Sequence, residues 1–252
     1  MSDEIRIHYV SHFIKLSLWY INQLMQKEDI AFEAAIAHRV NVYRNTDFFD
    51  GKHQPAWGDE DADWDAYLVG LKAIFDRCEG EALEEEGLAY LWPRVTKTYH
   101  KPTVKNRPYE CWTYECWTSD DGVDNVSLHI ANVYQPKSPL SEMWSQFRGK
   151  LLELLIDVKK QNPDLKMVYC GSWMNSMAPF QTLFPKSWHD SASVSARSSW
   201  GMGHWGQFMD RTGRFHVRHG ERLRATGEFP NPSLSCRAPL EEIVAHLENM
   251  AD

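Results

Sequence analysis

The chain has 252 residues, 43% hydrophobic and 13% aromatic, which is enough for one large or two small globular domains. Its formal charge of −8 is uneven, with 18 acids against 10 bases in residues 1–100 and 17 of each thereafter. That excludes nucleic acid or an anionic membrane as the main partner, because both need a basic footprint. No charged-then-apolar leader and no apolar run of membrane length occurs, and five scattered cysteines suit thiols, so a soluble cytoplasmic protein is expected.

Ile5 to Met25 carries apolar residues over a wide helical face, and Asp29 is expected to cap a second helix reaching about Tyr43. Residues 46–58, with their glycine, proline and aspartates, read as a loop. Asp59, Asp61, Asp63 and Asp65 resemble the start of a calcium loop, but Trp64 and Gly70 stand where such a loop needs glycine and glutamate. The plainer reading is an acidic first turn, favoured by the helix dipole, on a helix ending near Cys78. Glu81 to Leu91 reads as a further helix with a solvated acidic face. Residues 1–95 are thus expected to form a helical part and residues 96–252 an α/β part, as two domains or one continuous one.

Beyond Pro93 the composition shifts to strand formers, and the pentapeptide YECWT occurs twice in succession at 109–113 and 114–118. Five is odd, so a bulge or bend is expected between the copies. The spacing of Cys111 and Cys116 is unusual for zinc, and no second pair follows. Val126, Leu128 and Ile130 then alternate with Ser127, His129 and Ala131, the period of a strand with one apolar face. Ser138-Pro139 offers a helix start, and Met143, Phe147, Leu151, Leu155 and Val158 continue the helical spacing until Asn162-Pro163. Leu165 to Cys170 follows as a strand. Strand, long helix and strand in this order form a β-α-β crossover with parallel strands. Ligands gather beyond the carboxyl ends of such strands, which places His129–Asn132 and Gly171–Asn175 at one rim.

In residues 200–216, Gly201, Gly203 and Gly206 alternate with Met202, His204, Trp205 and Gln207. Asp210-Arg211-Thr212-Gly213 signals a turn, predicting a hairpin from about Trp205 to Val217. A short helix is expected over Gly220–Ala225 and a terminal one over Pro239–Met250. After Lys186 the basic residues are all arginines: Arg197, Arg211, Arg214, Arg218, Arg222, Arg224 and Arg237. Guanidinium groups suit a carboxylate or phosphate ligand, or salt bridges to the acidic helical part. The fold class expected is α/β, an N-terminal helical part packed on a mixed sheet.

Four segments, LHIANVYQPKSPL, CGSWMNSMAPFQTLFP, GHWGQFMDRTGRFH and ERLRATGEFPNPS, resemble a family of bacterial and archaeal hypothetical proteins of similar length, over roughly residues 125–245. Leu128-His129-Ile130 and Cys170-Gly171-Ser172-Trp173 are also similar to the acyltransferase-like domain found beside GNAT folds. That resemblance implies a GNAT-like fold and a coenzyme A thioester. The glycine pattern of the GNAT pyrophosphate loop is not found, since Arg211-Thr212-Gly213-Arg214 has a different spacing.

Three functions follow as expectations. The first is an enzyme of acyl-transfer type on a small, anionic, acyl- or carboxylate-bearing substrate, with His129 as general base and Ser172 beside it. Asn132, Trp173, Asn175, His204, Trp205, Gln207 and Arg211 would bind the substrate. The second is a noncatalytic protein that binds a small anion through its tryptophans and arginines. The third is a metalloenzyme using His189, His204, His216 or His219; His216 and His219, on an expected strand, would point to opposite faces. The feature that discriminates among them is whether His129 and Ser172 converge.

Overall fold

A computed structural model describes residues 3–38, 40–49, 62–97, 107–194 and 203–250. In chain order the helices are α1 (Asp3–Glu28), α2 (Phe32–His38), α3 (Ala62–Arg77), α4 (Gly80–Leu91), α5 (Trp144–Gln161), α6 (Ala178–Gln181), α7 (Lys186–Asp190), α8 (Val217–Thr226) and α9 (Leu240–Asn249). The strands are β1 (Trp112–Thr118), β2 (Asp124–Ile130), β3 (Met167–Ser172), β4 (Ser193–Val194) and β5 (Leu234–Pro239). They form two compact units, Met1–Tyr99 with Ser199–Pro230, and His100–Ser198 with Asn231–Asp252. Residues 199–230, read from sequence as part of the α/β region, group with the helices. Most of the loop 46–58, together with Asp59, Asp61, Arg197, Gly201 and Met202, lies outside the described residues.

The helical unit is built on α1, where Val10, Phe13, Ile14, Ser17, Ile21 and Leu24 are buried at three- and four-residue spacing. Asp29 adopts a left-handed φ of 52°, so it ends α1 instead of capping the next helix, and α2 is shorter than expected. Gly87 on α4 allows close packing against α1, because a Cβ there would lie 2.7 Å from Leu18 Cδ1. Arg6 is buried but satisfied, donating to Thr96 O at 3.1 Å and to Asn45 Oδ1 at 3.0 Å. Trp205 sits in the core, its ring 5.5 Å from Phe13, 5.4 Å from Tyr20, 5.3 Å from Phe208 and 5.2 Å from Phe229. Three of these pairs are edge-on, the arrangement that ring quadrupoles favour.

The expected hairpin over 205–217 is reduced to a 3₁₀ turn over His204–Phe208 and one bridge between Met209 and Phe215. Asp210 holds the reversal. Its Oδ1 accepts from Thr212 N and Thr212 Oγ1 at 2.7 Å and from Arg214 N at 3.0 Å, gathering 210–214 into an aspartate-centred turn. Beyond it the ladder has only the bonds Asp210 N to Arg214 O and His216 N to Phe208 O, both 2.8 Å, before the 3₁₀ turn and α8 take over. α8 then starts at Val217, earlier than expected, and ends on Gly227 at φ 73°. Arg224 on α8 forms a bidentate pair with Glu84 at 2.6 and 2.7 Å, the salt-bridge alternative for the late arginines.

The second unit is a five-stranded mixed sheet in the order β1-β2-β3-β5-β4. β2 and β3 are parallel and joined through α5, which is the crossover expected from the sequence. β1 pairs antiparallel with β2, and β5 antiparallel with both β3 and β4. One face carries Val126, Leu128, Val168, Cys170, Cys236 and Ala238, buried under Phe147, Leu151, Leu154 and Leu155 of α5 and Ile243 and Leu247 of α9. Each valine, leucine, isoleucine or phenylalanine among them contributes about 1.5–3 kcal/mol when fully removed from water, and Ala238 less. Trp112 stacks on Phe147 at 4.5 Å and donates its indole N–H to Phe147 O at 2.9 Å.

Two boundaries differ from expectation for local reasons. α5 begins at Trp144 and not at Ser138, because Glu142 Oε2 accepts from Ser138 N at 3.0 Å and Met143 N donates to Ser138 O at 3.1 Å, holding 138–143 in turns. The bend in the YECWT repeat falls inside the first copy, where Glu110 has a φ of 56°, and the strand then runs unbroken through the second copy. No described helix is long and apolar enough to cross a membrane.

Candidate functional site

Alternation along the strands decides which residues share a face. On β2, Val126 and Leu128 turn towards the helices and Ser127 and His129 away from them. On β3, Val168 and Cys170 turn inward, so Tyr169 and Gly171 turn outward and Ser172 falls on the inward side. His129 and Ser172 therefore project from opposite faces of the sheet and do not converge. The rim rule placed both at one height along the strands correctly, but height does not determine face.

The remaining residues singled out in the sequence are also dispersed. Ser172 Oγ accepts from Met174 N at 3.1 Å and caps the turn that follows β3. Trp173 packs against the core beneath the sheet. Asn175 is buried and fully used: its Nδ2 donates to Cys170 O and Leu234 O, both at 2.8 Å, and its Oδ1 accepts from Trp188 Nε1 at 3.2 Å. Asn132 holds the loop after β2, accepting from Tyr134 N at 2.9 Å and donating to Lys137 O at 3.1 Å. His204, Trp205 and Gln207 are core residues of the helical unit, while Arg211 is exposed on its aspartate-centred turn. Burial against Phe229, ring to ring at 4.1 Å, pushes the His204 imidazole down to about 4.

Of the metal-reading histidines, His189 lies on α7 of the sheet unit and the others in the helical unit. His216 and His219 stand at the start of α8, and their rings stack at 3.7 Å, a correction to the strand expectation that set them on opposite faces. His219 Nδ1 is 2.7 Å from Gln207 O, a carbonyl that can only accept, so this nitrogen carries the proton. Among the described residues no three His, Cys, Asp or Glu side chains gather as a metal-ion site. Cys111 is buried and Cys116 exposed, so the two do not form half of one.

What the sheet does assemble is an outward-facing row that the sequence reading did not identify. Glu115, Ser127, Tyr169 and Arg237 are direct cross-strand neighbours on β1, β2, β3 and β5. Trp117 Nε1 donates to Ser127 Oγ at 3.0 Å, and the Trp117 and Tyr169 rings are 5.4 Å apart. The Tyr169 hydroxyl accepts from Arg237 Nη1 at 3.4 Å. His129 Nε2 lies 3.6 Å from Glu115 Oε2, with its side chain 55% exposed. Gly171, the next outward position after Tyr169, leaves a hollow in this face, since a Cβ there would meet only Ser235 Oγ, at 3.7 Å. Aromatic rings, a guanidinium with no ion-pair partner among the described residues, and two hydroxyls are thus presented together to solvent. The alternation Thr113, Glu115, Trp117 was a signal for this face. It remained unread because its partners lie on three other strands.

A second polar group was also missed, and it is closed. Both oxygens of buried Glu110 accept from Gln146 Nε2, at 2.8 and 2.9 Å, and one also accepts from the Tyr134 hydroxyl. Burial, and after it the bond to Glu110, holds that hydroxyl protonated well above the ordinary phenol range. Every donor there is engaged within the fold, which suits an anchor between the bend, the loop after β2 and α5. An apolar groove of about 390 Å³ between α5 and α9, lined by Ile156, Lys159 and Val244 among others, contains none of the residues singled out in the sequence. Comparison of the chain with family models, with curated proteins and with solved structures finds no match.

Proposed function

We propose that the outward face of the sheet is a noncatalytic binding surface for a small, planar, carboxylate-bearing molecule. The observation that carries this reading is the row Glu115, Ser127, Tyr169 and Arg237, with Trp117 against Tyr169, on the side of the sheet turned away from its helices. Arg237 supplies a planar donor for a carboxylate, and the two aromatic rings supply a platform for a flat ligand. Glu115 in the same row disfavours a polyanion, in keeping with the acidic chain. Five free cysteines fit a reducing compartment, which supports a cytoplasmic location.

The test is a thermal-shift series with aromatic and aliphatic monocarboxylates, because a ligand bound only by the folded state must raise its apparent stability. An aromatic carboxylate that raises Tm, with the rise lost in Arg237→Gln and in Tyr169→Ala, is the expected result. A flat response across the series, or a rise that survives both substitutions, overturns the reading.

Acyl transfer stands as a second reading on one observation, the approach of His129 to Glu115 at 3.6 Å, since a carboxylate beside an imidazole can orient a base. With Ser172 on the other face, His129 would have to act without it. Thioester consumption that disappears in His129→Ala and persists in Ser172→Ala would favour this reading.

A further inference from the structure

The two edges of the sheet are unlike. β4 at one end has two described residues, Ser193 and Val194. β1 at the other end is seven residues long and reads WTYECWT, rich in strand formers, without proline, glycine or lysine and with a single charge.

The ladder shows which of its main-chain groups face β2 and which face away from it with no partner among the described residues. Ala131 N donates to Cys111 O and Ser119 N to Val123 O, both at 2.9 Å and both in the register that pairs Trp112 with Ile130. Hydrogen-bonded pairs recur at every second residue of an antiparallel ladder, so Thr113, Glu115 and Trp117 turn their N–H and C=O towards β2. Tyr114, Cys116 and Thr118 turn theirs outward, away from the sheet.

We propose that a second copy of this chain pairs with β1, antiparallel about a two-fold axis at Cys116, joining the two sheets into one. Self-pairing must match residues of the same face, which leaves three central positions to compare. A centre at Glu115 sets two carboxylates opposite each other, and like charges there are destabilising. A centre at Tyr114 needs the N–H of Trp112, which already donates to Tyr109 O at 3.0 Å. A centre at Cys116 uses every outward N–H and C=O of Tyr114, Cys116 and Thr118, and sets Glu115 opposite Trp117 of the other copy. The axis runs through the sheet, so the two outward faces continue side by side. The proposal is independent of what that face binds.

Sedimentation of the full chain over a wide concentration range tests it. The mass is expected to rise from the 29.3 kDa of one chain towards twice that value. Cys116→Pro removes an outward N–H that β2 does not use, so it should keep the chain folded and monomeric. Cys116→Ser should dimerise as the natural chain does but lose the dimer band that a short bifunctional maleimide produces. Amide exchange reads the edge without any substitution: protection at Tyr114, Cys116 and Thr118 should grow with concentration. A chain that stays monomeric at its highest concentration, a dimer that survives Cys116→Pro, or protection of these three amides already present in the dilute monomer overturns the proposal.

Discussion

The helical unit encloses its unusual side chains, whereas the sheet unit displays them. Trp205, His204 and Gln207 are each at most 5% exposed within the helical unit, although the sequence placed them among the substrate-binding groups. Trp117, His129 and Arg237 stand in water on the sheet. The difference teaches that density of polar and aromatic residues in a segment does not identify a site. In the helical unit those residues pack on each other and bond to the backbone, whereas the row on the sheet faces water.

Two tryptophans put this contrast to its largest test. Trp205→Ala removes a ring that four aromatic neighbours surround and should cost about 3–5 kcal/mol. Trp117→Ala removes a ring 41% exposed and should cost less than about 1 kcal/mol. Urea unfolding of both variants measures the gap. Equal costs would mean that the outward face is a packed surface and not a displayed one.

Next in size is Asn175, a residue placed among ligand groups by sequence and found inside the sheet unit as a junction. Asn175→Ala leaves the Trp188 indole N–H without its acceptor and takes one donor each from two carbonyls that the β3–β5 ladder still engages, for a loss of about 1–3 kcal/mol, the cost of one buried unpaired group. A cost under about 1 kcal/mol would break the assignment of this side chain to architecture.

The buried imidazole gives the helical unit a pH dependence. His204 takes up its proton near 6.5 when unfolded and only near 4 when folded. Between those values the unfolded chain binds more protons, so stability is fully present above pH 6.5 and is lost as pH falls towards 4. The loss amounts to about 3 kcal/mol at about 1.4 kcal/mol for each pH unit. His8 and His219 are lowered as well, chiefly by burial, and act in the same direction. Replacing His204 by Gln should flatten the profile of Tm against pH between 6.5 and 4. An unchanged slope would assign the acid sensitivity elsewhere.

Much of the sheet unit is legible from its residues. The period-two alternation of β2 and the helical spacing around Phe147 identify the crossover, because each element buries one regular stripe. β5 is harder to read: its inward residues Cys236 and Ala238 are small, and their contrast with Ser235 and Arg237 is faint. The row on the outward face requires cross-strand register, which is set by pairings far apart in sequence. The turn signal at Asp210–Gly213 located the reversal, but the hairpin is shorter than expected because the 3₁₀ turn over His204–Phe208 and the early start of α8 at Val217 leave one bridge between them.

The smallest expected effects concern His129 and Ser172, and here the expected result is independence. Ser172→Ala removes the oxygen that caps the turn after β3 and should cost about 0.5–1 kcal/mol of stability. His129→Ala touches only an exposed approach to Glu115 and should stay within about 0.5 kcal/mol. Residues that share no partner and lie on opposite faces of a sheet have no route to couple directly, so the double variant should show the sum of the two single effects within about 0.5 kcal/mol. The same cycle read on ligand affinity is sharper. If the ligand lies on the outward face, His129→Ala changes its affinity and Ser172→Ala does not. A coupling larger than about 1 kcal/mol in either cycle would require one ligand, or one network of bonds, to reach both faces of the sheet, and would break the separation of face from core on which the binding surface rests.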